Sequence, residues 1–162
     1  MNHLPEREEF FHIRKARPSE WDNAMELAFR TFLKYEGLEY GSEGIAHFAE
    51  FITDNVLKEM FLQGNYLLFV AVAGDKIIGI ISLRSGNHIS LLFVDEQYHR
   101  KGVGKALVKY LQEYMLSNTK YDKLTVHAAP YGIPFYHKIG FRDTSLETEQ
   151  DGIIYTPMEF FL

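Results

Sequence analysis

Weak alternation of apolar and polar residues from Phe11 to Arg17 predicts a first strand, and Pro18-Ser19-Glu20 then hands over to helical spacing. Ser19 stands where it can act as the N-cap of a helix running to about Leu33, in which Trp21, Ala24, Met25, Ala28, Phe29 and Phe32 share one face. A second helical stretch, about Ser42 to Met60, repeats the pattern with Ile45, Phe48, Ala49, Ile52, Val56 and Met60, and Gly37 and Gly41 punctuate the connection. The period then shortens. Tyr66 to Ala73 and Lys76 to Leu83 are apolar runs separated by the hairpin signal Gly74-Asp75, and His88 to Val94 follows the turn Ser85-Gly86-Asn87 as a third strand. This antiparallel meander is apolar enough to be covered on both faces. From Gly102 the helical period returns, with Val103, Ala106, Leu107, Tyr110, Leu111 and Tyr114 on one face. Lys123 to Ala128 predicts another strand, Pro134 to Lys138 a short helix closed by Gly140, and Gly152 to Phe160 a last strand. The expected product is a single α+β domain over residues 1–162. It has a mixed central sheet, its N-terminal part an antiparallel meander, flanked by helices on both faces.

Composition narrows the chemistry. An apolar content of 46% in 162 residues supplies one core rather than two. The absence of cysteine removes disulfides, thiolate metal sites and a cysteine nucleophile; a metal would need His and carboxylates alone, and none is expected. Residues Met1 to Glu9 contain no apolar leader core, and the longest apolar run, Tyr66 to Ala73, is far short of a bilayer span, so a soluble, cytoplasmic protein is expected. A net charge of −5 and a pI near 5.8 argue against nucleic acid as a partner.

Local charge and glycine content concentrate between the third strand and the long helix. Leu92-Phe93-Val94 leads through His99-Arg100-Lys101-Gly102-Val103-Gly104-Lys105 into the helix, so unpaired amides at a helix N-terminus lie beside Arg100, Lys101 and Lys105. Amides of that kind, with glycines that allow close approach, form a phosphate site. A Walker A loop fails because His99 and Ala106 stand where Gly and Ser or Thr are needed, and a dinucleotide fingerprint fails at Leu107.

The segment His99 to Gly104 resembles the acetyl-CoA pyrophosphate loop, Gln/Arg-x-x-Gly-x-Gly/Ala, of the GCN5-related N-acetyltransferases (GNAT superfamily), with His99 at the Gln/Arg position. Pro130 to Phe141, with Phe135-Tyr136-His137-Lys138-Ile139-Gly140-Phe141 at its centre, resembles the family's later motif, and the order of elements follows the family over nearly the whole chain. The resemblance implies an acyltransferase using acetyl-CoA as co-substrate. It implies contacts to that co-substrate from Leu92, Phe93, Val94, Arg100, Lys101, Gly102, Val103, Gly104 and Lys105. Tyr136 falls on the Tyr that protonates the departing thiolate in many relatives, and His88 on the position of a carboxylate base in histone-type relatives. Ala128-Ala129 stands where many relatives carry an Asn.

Acetyl transfer to an amine needs a neutral nucleophile, a polarised carbonyl and a proton for the thiolate. By simple alternation His88, Ser90, Leu92 and Val94 share a face, so His88 is expected to look into the cleft and to give the rate an apparent pKa between about 6 and 8. His127 is a second candidate, and a water chain a third. Tyr35, Glu36, Glu39, Tyr40 and Glu43 lie where relatives build the acceptor pocket, and their acidity suits either a cationic amine or a solvated loop. The acceptor is expected to be a primary amine of a small molecule or peptide. Its identity and the oligomeric state, a homodimer among the options, are left open. The competing class is an acyl-CoA-binding module without catalysis.

Overall fold

The computed structural model describes residues 10–162; Met1 to Glu9, read above for a leader segment, lies outside them. Strand β1 (His12–Lys15) precedes helices α1 (Trp21–Tyr35), α2 (Gly37–Ile52) and α3 (Asn55–Leu62), and the meander β2 (Leu67–Ala73), β3 (Lys76–Arg84) and β4 (His88–Val94) follows. Helix α4 (Val103–Asn118), β5 (Lys123–Ala128), α5 (Ile133–Lys138), β6 (Arg142–Asp143), β7 (Thr148–Gln150) and β8 (Ile153–Phe161) complete the chain. The sheet runs β1-β2-β3-β4-β5-β8-β6, with β7 added to β8. All pairings are antiparallel except β4 with β5, which are parallel and joined only at His88–Thr125 and Ile89–Val126.

Two cores cover the sheet, as expected for strands apolar on both faces. Trp21, Ala28 and Phe32 of α1 with Phe48 of α2 and Phe61 of α3 pack on Leu68, Val70, Ile80, Leu91 and Phe93. Leu107, Leu111 and Met115 of α4 pack on Phe69, Ile78, Ile81, Leu124 and Met158 from the other side. Each of these large side chains is essentially sealed from water, worth about 1.5–3 kcal/mol apiece. Gly79 sets the spacing of α4 on β3, because a Cβ there would lie 3.0 Å from Leu107 and 3.1 Å from Val103.

Three local expectations are corrected. Ser19 does not cap α1: Pro18–Glu20 forms a 3-10 turn, and Glu20 accepts from the Arg17 amide at 2.6 Å while holding Arg14 through both oxygens. The second helical stretch is two helices, because Asp54 accepts from the Val56 amide at 2.8 Å and starts α3 afresh. That break shifts the phase, so Val56 and Met60, assigned to the buried face, are exposed. The two short strands β6 and β7 had no periodic signal, since each has three residues or fewer.

The third correction bears on function. Ser82 pairs with Leu91 and Leu83 with Ile89, so β4 carries one extra residue, Ser90, opposite a regular stretch of β3. A bulge of this kind inverts the alternation. Ile89, Leu92 and Val94 therefore belong to the α4 side, whereas Leu91 and Phe93 belong to the α1–α2 side. Ser90 faces the latter, held by the Tyr66 hydroxyl at 3.1 Å, which also reaches Ser82 at 2.7 Å. His88 thus does not share a face with Leu92 and Val94.

Candidate active site

Beyond Ile89 the strands β4 and β5 part, and a cleft of about 1150 Å³ opens between them, large enough for an extended ligand and a second small molecule. The Asp95 amide donates to Ile78 of β3 at 2.8 Å, so by alternation the peptide groups of Leu92 and Val94 face the gap, where β4 has no strand partner. The Phe93 peptide is turned to β3; what Phe93 contributes to the cleft is its ring, packed on Phe48.

The glycine loop fits an anion well. His99 N–H donates to Glu96 and Ala106 N–H to Gly102, but among the described residues the six amides from Arg100 to Lys105 donate to no protein acceptor. Gly102 has φ of +82° with open space where a Cβ would be, and Arg100 also adopts positive φ at +61°. The chain thus curls so that successive N–H groups converge at the start of a sixteen-residue helix. Arg100 and Lys105 line the cleft. Lys101 is a correction: its ammonium lies over the rings of Phe10 and Tyr98 at 5.7 and 5.6 Å, outside the cleft, so only its amide belongs to the loop. Val103 is buried in the α4 core and likewise offers backbone.

His99, at the position where the family loop begins with Gln or Arg, donates from Nε2 to the Val94 carbonyl at 2.7 Å, which requires the proton on that nitrogen. The bond, with that from the Asp95 amide to Ile78, fixes the peptide plane that joins Val94 to Asp95 at the end of the strand. The His99 ring also lies 4.8 Å from Tyr35, which lies 5.1 Å from Tyr131, so three elements meet in an aromatic clasp at the mouth of the cleft. The loop is tied to α1 at its base. Asp95, 5% exposed, accepts from Arg30 at 3.0 Å and from the Gln97 amide at 3.0 Å, and faces Lys76 at 3.6 Å.

Tyr136 sits on α5 with its ring edge-on to Phe135 and Phe141. Among the described residues its hydroxyl bonds no group, yet none of their sealed side-chain polar atoms lacks a partner, so the hydroxyl opens into the cleft. Burial, and then the negative charge of Glu36, push its pKa up, so it stays protonated. His88 lines the cleft from the α1–α2 side. Its Nδ1 is 2.7 Å from the Thr125 hydroxyl, and its ring is 4.5 Å from His127, which stacks on Tyr155 at 4.1 Å. Burial, then His127 and Arg84, lower the His88 pKa to about 4. The ionisation expected between 6 and 8 is therefore not that of His88, which is neutral throughout the physiological range. Tyr155 was not anticipated, since nothing near it in the sequence marks it as a cleft residue.

Of the five residues expected about the acceptor pocket, Tyr35, Glu36 and Tyr40 line the cleft and Glu39 and Glu43 do not. Glu36 ends α1, its amide bonded to the Phe32 carbonyl at 2.8 Å, and it lines the cleft beside Tyr40. Burial, reinforced by the neighbouring Glu39, raises its pKa to about 7. Among the described residues no group of three or more His, Asp or Glu side chains is arranged to hold a metal ion, and no helix is long and apolar enough to cross a membrane.

Comparison with known proteins agrees with this architecture. Residues 37–162 match the model of the acetyltransferase (GNAT) domain. The uncharacterized N-acetyltransferase YafP of Escherichia coli (strain K12) is 28% identical over 130 residues, 80% of either chain. The glucosamine 6-phosphate N-acetyltransferase of Trypanosoma brucei brucei is 39% identical over 59 residues, covering 36% of this chain and 40% of that one. Among solved structures, a GCN5-related N-acetyltransferase from Rhodopseudomonas palustris superposes with a TM-score of 0.80 at 21% identity, covering 93% of this chain and 95% of that one. The PaiA N-acetyltransferase of Thermoplasma acidophilum, in complex with coenzyme A, gives 0.74 at 20% identity, covering 94% and 99%. The chain belongs to the GNAT acetyltransferase family and is an N-acetyltransferase by class.

Proposed function

We propose that the protein moves an acetyl group directly from acetyl-CoA to a primary amine of a small molecule or peptide held in the cleft between β4 and β5. The observation that carries this reading is that one cleft is lined by Arg100, Gly102, Val103, Gly104 and Lys105 of the loop with its unbonded amides, by a strand edge without a partner and by Tyr136 with its free hydroxyl. Amides Arg100 to Lys105, with the Arg100 and Lys105 side chains, hold the pyrophosphate, and the Leu92–Val94 edge takes the pantetheine arm. When bound, acetyl-CoA supplies an activated acyl group. The Val94 N–H, on the strand edge that faces the gap, polarises the thioester carbonyl. Tyr136, held protonated, donates to the departing thiolate. His88 and His127, with Tyr155, form the acceptor-side wall in neutral form.

Support for an amine acceptor comes from a neighbour with the same fold. The spermidine N-acetyltransferase of Vibrio cholerae, solved with CoA and spermine, superposes with a TM-score of 0.69 at 15% identity. The test is calorimetry with acetyl-CoA followed by a screen of amines read by release of free thiol. Binding together with thiol release dependent on an amine is expected. Binding without release from any amine would leave only an acyl-CoA-binding module.

A further inference from the structure

We propose that Glu36 receives the ammonium group of the acceptor and takes its proton before attack, so that the acceptor is a cationic alkyl amine. The proposal rests on the acetyltransfer reading and assigns its missing base. Most acids near the cleft are spoken for: Asp95 by Arg30 and Lys76, Glu96 by Lys34, Asp151 by His47. Glu36 has no hydrogen-bond or ion-pair partner among the described residues, and since no sealed polar atom there lacks a partner, its oxygens reach the cleft. Its place at the junction of α1 and α2 brings it within electrostatic reach of Tyr40 on α2 and of Tyr136 on α5, whose ionisation its charge opposes. Glu36 and Tyr136 line the same cleft, so a carboxylate at this position can meet an amine brought up to the thioester from the α1–α2 side.

The other groups of the cleft do not serve. The titratable neighbours of Glu36 are Glu39, which raises its affinity for a proton, and the two tyrosines, which remain neutral. The cations Arg84, Arg100, Lys105 and Lys138 line the cleft without approaching Glu36 to ion-pair distance. His88 is engaged with Thr125 and neutral, and a group with a pKa of about 4 is a poor acceptor for an alkylammonium proton. Glu36, at about 7 in the free protein, is closer than His88 to the reference value of about 10.4 for such an amine and is the better proton acceptor of the two. A half-buried acid without a counter-charge is also completed by a cation, which then needs no other anchor.

The proton balance closes. The ammonium gives one proton to the Glu36 carboxylate, the amine nitrogen bonds to the thioester carbon, and the C–S bond breaks with its electron pair on sulfur. Tyr136 protonates the thiolate and recovers a proton from the nitrogen of the new amide; Glu36 releases its proton to water.

The experiment combines Glu36→Gln and Glu36→Asp with an alkyl diamine and an aniline as acceptors. The carboxyl is followed separately by ¹³C NMR titration of glutamate-labelled protein, alone and with the diamine. In the wild type, kcat/KM for the diamine should rise with pH through about 7, since only the carboxylate is a base, and the NMR titration should show the same ionisation lowered by the diamine. Glu36→Gln should lose the ionisation and fall at least about thirtyfold on the diamine but less than about threefold on the aniline, with acetyl-CoA affinity unchanged; Glu36→Asp should recover part of the loss. A Gln variant that binds acetyl-CoA and keeps both rate and pH profile on the diamine overturns the role of Glu36 and leaves acetyltransfer standing. A wild type that acetylates only the aniline overturns the cationic acceptor. A wild type that binds no acetyl-CoA removes the acetyltransfer reading itself, a result distinguishable from the other two.

Discussion

The two walls of the cleft are built on different plans. On the proposed reading, the donor wall is the Leu92–Val94 edge and the nearby loop His99 to Lys105, local in sequence and built mainly of backbone amides and two glycines. The wall proposed to meet the acceptor gathers Glu36, His88, His127 and Tyr136 from four places in the chain, side chains whose titration burial and one another shift. A backbone site tolerates exchange of its side chains, as Lys101 shows by pointing elsewhere. A side-chain site depends on the distances that the fold imposes, so the acceptor wall is where related chains have room to change substrate while keeping the donor.

That contrast can be broken most sharply at Gly104. A Cβ there would meet the Phe135 ring at 3.3 Å and lie 3.7 Å from Val94, so Gly104→Val drives a branched side chain into the mouth of the donor wall. Loss of two or three amide contacts to the pyrophosphate predicts that acetyl-CoA binding weakens on the order of 10²- to 10⁴-fold, measured by calorimetry on protein shown by circular dichroism to be folded. Undiminished affinity would mean that the loop is only a turn. On the opposite wall, Tyr136→Phe should lower turnover roughly ten- to a thousandfold while acetyl-CoA affinity changes little, a split that a packing role would not give.

Smaller effects test the frame between the walls. Asp95→Ala removes the acceptor shared by α1 and the donor loop, and should lower stability by about 2 kcal/mol in urea unfolding, because Asp95 is buried although its partner Arg30 is half exposed. The smallest effect concerns Glu20, whose bond to Arg14 holds its pKa at about 2. A depressed folded-state pKa adds stability above the unfolded value, and that stability is lost as pH falls from about 4.5 toward 2. Glu20→Gln should therefore flatten the acid limb of the stability curve by on the order of 1–2 kcal/mol and leave catalysis at pH 7 unchanged. An unaltered acid limb would show that the pair contributes nothing.

The same contrast governs what was legible in the sequence. Helix α4, the hairpin at Gly74-Asp75 and strand β5 follow from periodicity and turn residues because their signals are local, and so does the loop entering α4. Tyr136 was reached through its motif. The partition of α2 from α3 escaped because Asp54 is a cap whose signal is one residue in a continuing apolar pattern. Glu36 and His88 were legible as cleft residues, but their protonation was not: the titration of each is set by burial in the fold, and the face of His88 by a bulge with no mark of its own in the alternation.

That bulge divides β4 into two reading frames. Upstream of Ser90 even-numbered positions look toward α1 and α2; downstream they look toward α4. Deleting Ser90 would merge the frames and force either the His88 imidazole into the α4 core or Leu92 and Val94 out of it. Transplanting the strand between relatives, or grafting a new acceptor specificity onto it, therefore succeeds only if the count of residues between His88 and Leu92 is preserved, whatever their identity.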